Sequence, residues 1–178
     1  IRDWLTNDLL ISAFEISPQA VPHIFTRLRK FRPDCIFGYP STIAMFCKLA
    51  LEQNLRPETL GAKVIFCTAE MLYEHQRRSI AAAFGGIPVV DGYGSREGGF
   101  ISHECEKGAY HTIDPNYVIE YLNNGQPASP DEYGEIVLTH LDAWGMPFIR
   151  YRTGDVARQG AATCACGRSF ATMQNISG

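Results

Sequence analysis

The chain has 178 residues, 46% of them hydrophobic and 20% charged, with a formal net charge of -3. That is ordinary globular material, with apolar residues enough for one good core or two small ones. No run comes near the roughly eighteen apolar residues of a membrane span, the opening Ile1-Arg2-Asp3-Trp4 does not read as a signal peptide, and both signs of charge are scattered without a basic tract; a soluble protein without nucleic-acid or membrane partners is expected.

In chain order, Ser17 suits a cap and Pro18 the first turn of a helix whose Val21, Ile24, Phe25 and Leu28 recur at helical spacing up to Phe31, with Pro33 ending it. Cys35 to Tyr39 is a short apolar run of the kind that forms a buried parallel strand. Pro40-Ser41 then opens a second helix with Ile43, Phe46, Cys47, Leu49 and Ala50 on its apolar face. Lys63 to Cys67 predicts a strand, Tyr73 to Phe84 a helix stopped by Gly85-Gly86, and Ile87 to Val90 another strand. Alternating strands and helices make an α/β layer on a right-handed parallel sheet, expected over residues 1–100. Beyond Gly99 the helical periods give way to strands: Tyr117 to Leu122, Gly134 to Leu141 and Phe148 to Arg152, with Asn123-Asn124-Gly125 as a strong turn signal. Residues 101–178 are therefore expected to form a β-rich subdomain, a distorted barrel. An opening without Met and an end at Ile176-Ser177-Gly178 suggest a piece of a longer protein.

Ligands of an open parallel sheet bind where loops leave the carboxyl ends of its strands. Gly38-Tyr39-Pro40-Ser41, Thr68-Ala69-Glu70-Met71 and Gly92-Tyr93-Gly94-Ser95 follow successive strands, and glycine there admits close backbone approach while an aromatic offers a flat face to a base. The stretch from Asp91 to Gly99 reads as a glycine-rich turn suited to a nucleotide and its metal. Tyr93 suits stacking on a purine, Ser95 a phosphate oxygen, and Glu97 Mg²⁺ between phosphates, with a core aromatic at Tyr93 and a helix-start cap at Glu97 as equally weighted alternatives. Asp155, after Thr153-Gly154, is a short acceptor able to take ribose hydroxyls, with a turn-initiating role as the equally weighted alternative. Arg150 and Arg152 are candidates for phosphate contacts, with exposed strand residues as the equally weighted alternative.

These motifs resemble those of the adenylate-forming superfamily, and within it the phenylacetate-CoA ligase-like branch, which includes enzymes of capsular polysaccharide biosynthesis. Tyr93, Gly94, Ser95 and Glu97 match its Tyr-Gly-x-Thr-Glu type motif, and Tyr151-Arg152-Thr153-Gly154-Asp155 its Tyr-Arg-Thr-Gly-Asp motif. The resemblance implies that Tyr93 stacks on adenine, that Glu97 binds Mg²⁺, and that Ala69 and Glu70 lie along adenine. It further implies that Asp155 takes the ribose and that Gly38, Tyr39, Pro40 and Ser41 line the acyl pocket, with Phe100 nearby. With Asp91, Gly92 and Arg96, these residues make up the expected ATP/AMP site, and Glu97 and Arg152 the expected catalytic pair. Arg96 departs from the usual Thr and puts the hydroxyl contact to the α-phosphate in doubt, although a guanidinium can itself meet phosphate. The implied reaction is ATP-dependent activation of an aromatic or aliphatic carboxylic acid, followed by transfer to coenzyme A. The upstream phosphate loop and the downstream lysine of such enzymes are not in this sequence, so weak nucleotide binding and little catalysis are expected of the piece alone.

The six cysteines divide by neighbourhood. Cys35, Cys47 and Cys67 lie in apolar patterns and are expected as small buried hydrophobes. Cys105, Cys164 and Cys166 lie in polar, turn-rich sequence. Zinc favours four N/S ligands from two short segments, and Cys164-Ala165-Cys166-Gly167-Arg168 with Cys105 and His111 supplies them, His103 being the competing histidine. Cys105 and His111 flank an expected turn at Glu106-Lys107-Gly108, and a similar segment in the resembled branch sometimes completes a structural zinc site. Reducing conditions, hence cytoplasm, suit such a chain. Two other classes compete with the ligase reading: a non-catalytic, zinc-stabilised interaction module and a nucleotide-sugar transferase.

Overall fold

A computed structural model describes residues 6–178; the Ile1 to Trp4 opening lies outside the described residues. The chain folds as two compact units, one reaching Val89 and the other comprising Val90–Gly178.

In the first unit, helices α1 (Val21–Phe31), α2 (Pro40–Glu52) and α3 (Glu74–Ala83) alternate with strands β1 (Cys35–Gly38) and β2 (Val64–Thr68). β1 and β2 pair in parallel, Cys35 opposite Val64 through Gly38 opposite Cys67, and the Ile65 amide donates to the Pro88 carbonyl at 2.9 Å. The apolar stripes named from the sequence supply the core: Val21, Ile24, Phe25, Leu28, Ile43, Phe46, Cys47 and Ala50 from the helices, with Ile65 and Cys67 from β2. Fully burying an Ile or Leu side chain is worth about 1.5–3 kcal/mol, so this cluster is the main source of the unit's stability.

Two local expectations shift. Residues 17 to 20 form a turn, in which the Ala20 and Val21 amides donate to the Ser17 carbonyl, so α1 opens at Val21 and the proline in its first turn is Pro22 rather than Pro18. Arg32, in the left-handed region at φ 57°, closes α1 before Pro33 by donating its amide to the Leu28 carbonyl. Cys35 is exposed, unlike Cys47 and Cys67. β1 alternates, and Cys35 and Phe37 fall on the more exposed of its two sides.

The second unit is antiparallel. Its strands are β3 (Val89–Ser95, which carries the chain out of the first unit), β4 (Gly99–Glu104), β5 (Tyr110–Thr112), β6 (Tyr117–Asn123), β7 (Gln126–Pro127), β8 (Gly134–His140), β9 (Tyr151–Gln159) and β10 (Thr172–Ser177). They lie in the order β3-β4-β5-β10-β9-β8-β6-β7, and no pairing of β7 with β3 closes that order into a barrel among the described residues. Ile101, Tyr117, Leu138 and Met173 are the buried apolar centre. Asn124-Gly125 joins β6 to β7 as a two-residue turn with both residues at positive φ, 49° and 77°, the geometry that Asn-Gly favours.

The strand expected at Phe148 to Arg152 is displaced. Arg150 sits at φ 50°, ending the approach loop, and β9 runs from Tyr151 through Thr153-Gly154-Asp155 to Gln159. No helix among the described residues is long and apolar enough to cross a membrane.

Candidate nucleotide site and metal centre

The Asp91 to Gly99 segment is a hairpin rather than a free turn. Asp91 to Ser95 belong to β3, only residues 96–98 form the bend, and Gly99 begins β4. The pairing shifts register between Tyr93 and Gly94. Gly94 permits the shift, since a Cβ there would stand 2.4 Å from the Gly99 carbonyl oxygen. Ser95 Oγ accepts the Gly98 amide at 2.8 Å, and Tyr117 Oη donates to the Gly98 carbonyl at 2.6 Å. The bend is thus fixed from both sides, and it presents Arg96 and Glu97 exposed at its tip. Asp91 is engaged by neighbouring strands: its carboxylate accepts from Tyr110 Oη of β5 at 2.7 Å, and its amide donates to Glu104 of β4 at 3.0 Å.

Thr153-Gly154-Asp155 forms a bulge. Glu135 pairs with Val156 and Val137 with Arg152, leaving Ile136 opposite the triplet. Gly154 takes φ 84°, a conformation that side chains resist. Thr153 Oγ1 donates to the Ile136 carbonyl at 3.0 Å and accepts the Asp155 amide at 3.1 Å. Bulges redirect side chains, and this one brings Asp155 to Tyr93, whose Oη donates to Asp155 Oδ2 at 2.7 Å. The two motifs, 62 residues apart in sequence, therefore meet within the second unit. Burial raises the Tyr93 pKa above the ordinary phenol value; the Thr153 hydroxyl opposes this and the Asp155 carboxylate reinforces it. The Tyr93 ring also packs against the apolar centre.

Arg152 of β9 and Arg150 just before it are committed elsewhere. Arg152 binds Glu135 through Nε at 2.8 Å and also through Nη2, and its guanidinium holds the Glu135 carboxyl below its ordinary pKa. Arg150 makes a two-pronged pair with Glu120 at 3.0 and 3.1 Å. In the first unit, Tyr39 immediately precedes α2 and Pro40 opens it; the Ser41 amide donates to Glu70 Oε2 at 3.3 Å, so the first turn of α2 meets the loop after β2. Ala69 sits at φ 66°, turning the chain sharply after β2.

Cys105, His111, Cys164 and Cys166 converge, their ligand atoms all within 4.8 Å of one another. Cys105 and His111 flank the β4–β5 connection, where Gly108 takes φ 77°, and the two other cysteines sit in the β9–β10 connection, where the Gly167 amide donates to the Cys164 carbonyl at 3.0 Å. The Cys105 and Cys164 sulfurs are 3.8 Å apart, about the edge of a tetrahedron built on Zn–S bonds of about 2.3 Å. His111 is fully buried, with Nδ1 3.1 Å from the Phe170 carbonyl and Nε2 3.2 Å from Cys166 Sγ. Donation from Nδ1–H leaves the Nε2 lone pair facing the thiols, as a metal-binding imidazole requires. His103 lies outside the cluster, with its Nδ1 at 3.4 Å from the Glu104 carbonyl. Burial opposes ionisation of Cys166, but the Arg168 amide and guanidinium and the neighbouring thiols hold its pKa down to about 6. The Cys166 amide pulls the Cys164 thiol down, yet the Cys166 side chain, burial and Cys105 outweigh it and raise its pKa. Arg168 also clasps Glu106 at 2.8 Å, tying the two connections together. Three thiols and one imidazole fit zinc, and four protein ligands leave no open position, so the donor set is that of a structural ion.

Several supporting groups are not legible as motifs: the Glu135 and Glu120 partners of the arginines, the Phe170 carbonyl behind His111, and the bulge-closing role of Thr153. Only the last has a sequence signal, a hydroxyl residue followed by glycine at a strand irregularity.

No family model matches the chain. It is 32% identical over 164 residues to the phenylacetate-coenzyme A ligase of Escherichia coli, and 28% identical over 157 residues to that of Thermus thermophilus; each alignment covers 85% of this chain and 35% of the relative. The chain is a homologue of the phenylacetate-CoA ligases. It spans about a third of their length. Its fold matches that of CoA ligases of known structure: a 2-hydroxyisobutyryl-CoA ligase with 2-HIB-AMP and CoA superposes with a TM-score of 0.82 at 21% identity, over 94% of this chain and 37% of that one.

Proposed function

We propose that this phenylacetate-CoA ligase homologue contributes the adenine, ribose and Mg²⁺ contacts of an ATP-dependent, carboxylate-activating enzyme. The observation that carries the reading is the 2.7 Å hydrogen bond joining Tyr93 to Asp155, because it unites the two motifs that a nucleoside needs together. Asp155 accepts the ribose hydroxyls, Tyr93 stacks on the base, and Ala69 and Glu70 are the other assigned adenine contacts. Gly38, Tyr39, Pro40 and Ser41 belong to the acyl side, which takes an aromatic or aliphatic acid. Glu97 is the carboxylate that holds Mg²⁺; the ion supplies charge neutralisation of the phosphates when bound. Arg96 beside it is exposed at the tip of the bend and suits a phosphate oxygen, whereas Arg152 reaches a phosphate only by releasing Glu135.

The reaction is attack of the substrate carboxylate on the α-phosphorus of ATP, breaking the α,β-phosphoanhydride to expel pyrophosphate and forming a mixed acyl-phosphate anhydride, the acyl-adenylate; the coenzyme A thiol then takes the acyl group and AMP leaves. The residues of this chain hold the nucleotide and compensate its charge. Zinc, by this reading, is bound structurally by Cys105, His111, Cys164 and Cys166. With no disulfide joining any of the six cysteines, a reducing cytoplasm suits the protein.

The test is carboxylate-dependent exchange of pyrophosphate into ATP by a longer protein carrying this segment. Exchange that falls at least tenfold on Asp155→Ala is expected, and the absence of carboxylate-dependent exchange overturns the ligase reading in favour of a binding module or a transferase. For the metal, stoichiometric zinc lost in the Cys164→Ser, Cys166→Ser double variant is expected; zinc retained by that variant refutes the site.

A further inference from the structure

We propose that Thr153 is a positioning residue that sets nucleoside discrimination through Asp155, an inference that rests on the reading of Asp155 as the ribose carboxylate. The bulge leaves Thr153, Gly154 and Asp155 opposite Ile136 alone, so on the β8 side the regular ladder does not fix where the Asp155 backbone lies, while β10 pairs next to it at Val156. On the β8 side a single hydroxyl does. Thr153 Oγ1 donates to the Ile136 carbonyl at 3.0 Å and accepts the Asp155 amide at 3.1 Å, replacing two ladder bonds with one side chain. Gly154 supplies the positive φ between them, and Tyr93 Oη holds Oδ2 of the resulting carboxylate. The other oxygen, Oδ1, packs against Gly178, where any Cβ would collide with it, so glycine at 178 lets the carboxylate keep this position. A carboxylate receiving two vicinal hydroxyls must be placed closely, and the group that fixes its backbone governs that placement.

The experiment compares the dissociation constants of AMP and 2′,3′-dideoxy-AMP by NMR titration of this chain, for the native protein, Thr153→Val and Thr153→Ser, with thermal unfolding measured on each. The native chain and Thr153→Ser should prefer AMP by about tenfold, the order expected for charge-assisted hydroxyl contacts, and Thr153→Val should bring the ratio to near one at similar affinity for the dideoxy nucleotide. A general loss of stability weakens both nucleotides alike and leaves the ratio unchanged. Thr153→Val keeping the native ratio overturns the positioning role while leaving the ribose reading intact. A native ratio near one refutes the ribose reading itself, and this inference with it.

Discussion

Gly94 shows how a residue that looks chosen for a ligand is first required by the backbone. A side chain there would run into the Gly99 carbonyl at the register shift of β3 and β4, and the obstacle is backbone, with nothing flexible to yield. Gly94→Ala should therefore destabilise the protein by about 1–3 kcal/mol, the range of overpacked sites, read from chemical unfolding midpoints; an unchanged midpoint would show that the hairpin tolerates a wider separation. The tyrosines make a second residue-level prediction. Burial raises the pKa of Tyr93 and Tyr117 and pushes Tyr121 up to about 12, so the folded state keeps these phenols protonated where the unfolded chain ionises. Stability is then fully present below pH 10.0, the ordinary phenol value, and declines as pH rises above it. Tyrosinate absorbance followed alongside unfolding checks this: ionisation of these rings near pH 10 in the native protein would contradict it.

At the scale of elements, what could be read in advance was whatever depends on neighbours in sequence. The apolar stripes of α1 and α2, the Gly85-Gly86 stop and the Asn124-Gly125 turn are local consequences of side-chain period and permitted φ. β4, β5 and β10 escaped such a reading because their short segments alternate weakly and are defined by partners far along the chain, such as Thr172 opposite His111. The Thr153-Gly154-Asp155 bulge escaped for the same reason: its irregularity exists only against Ile136. Convergence of Cys105, His111, Cys164 and Cys166 was legible because ligand chemistry selects residue types, and only their meeting needed the sheet. Helix α3 illustrates a local device that can be measured by itself. Tyr73 stands at its N-terminal cap, and Gln76 reaches back to the Tyr73 amide at 3.1 Å; Gln76→Ala should cost about 0.5–1 kcal/mol, in the range of lost caps, and a stability unchanged in urea would show that the side-chain bond contributes nothing.

For the whole molecule, homology to phenylacetate-CoA ligases accounts for the order of the motifs, while the 35% span of those relatives confines the account to the residues that the chain itself brings together. Zinc is expected to stabilise the Val90–Gly178 unit by linkage, about 2.7 kcal/mol at a free concentration one hundred times the dissociation constant; removal by a chelator should lower the thermal midpoint, and re-addition should restore it. A midpoint indifferent to chelation would mean that the four ligands hold their geometry without metal. The central claim is that the Tyr93 and Asp155 motifs form one nucleoside contact. Its most direct test is a titration of the chain with AMP followed by backbone amide NMR. The predicted result is shifts concentrated at Tyr93 to Glu97 and at Thr153 to Asp155, abolished by Asp155→Ala in a variant that remains folded; shifts confined to other residues, or shifts indifferent to Asp155, would contradict it.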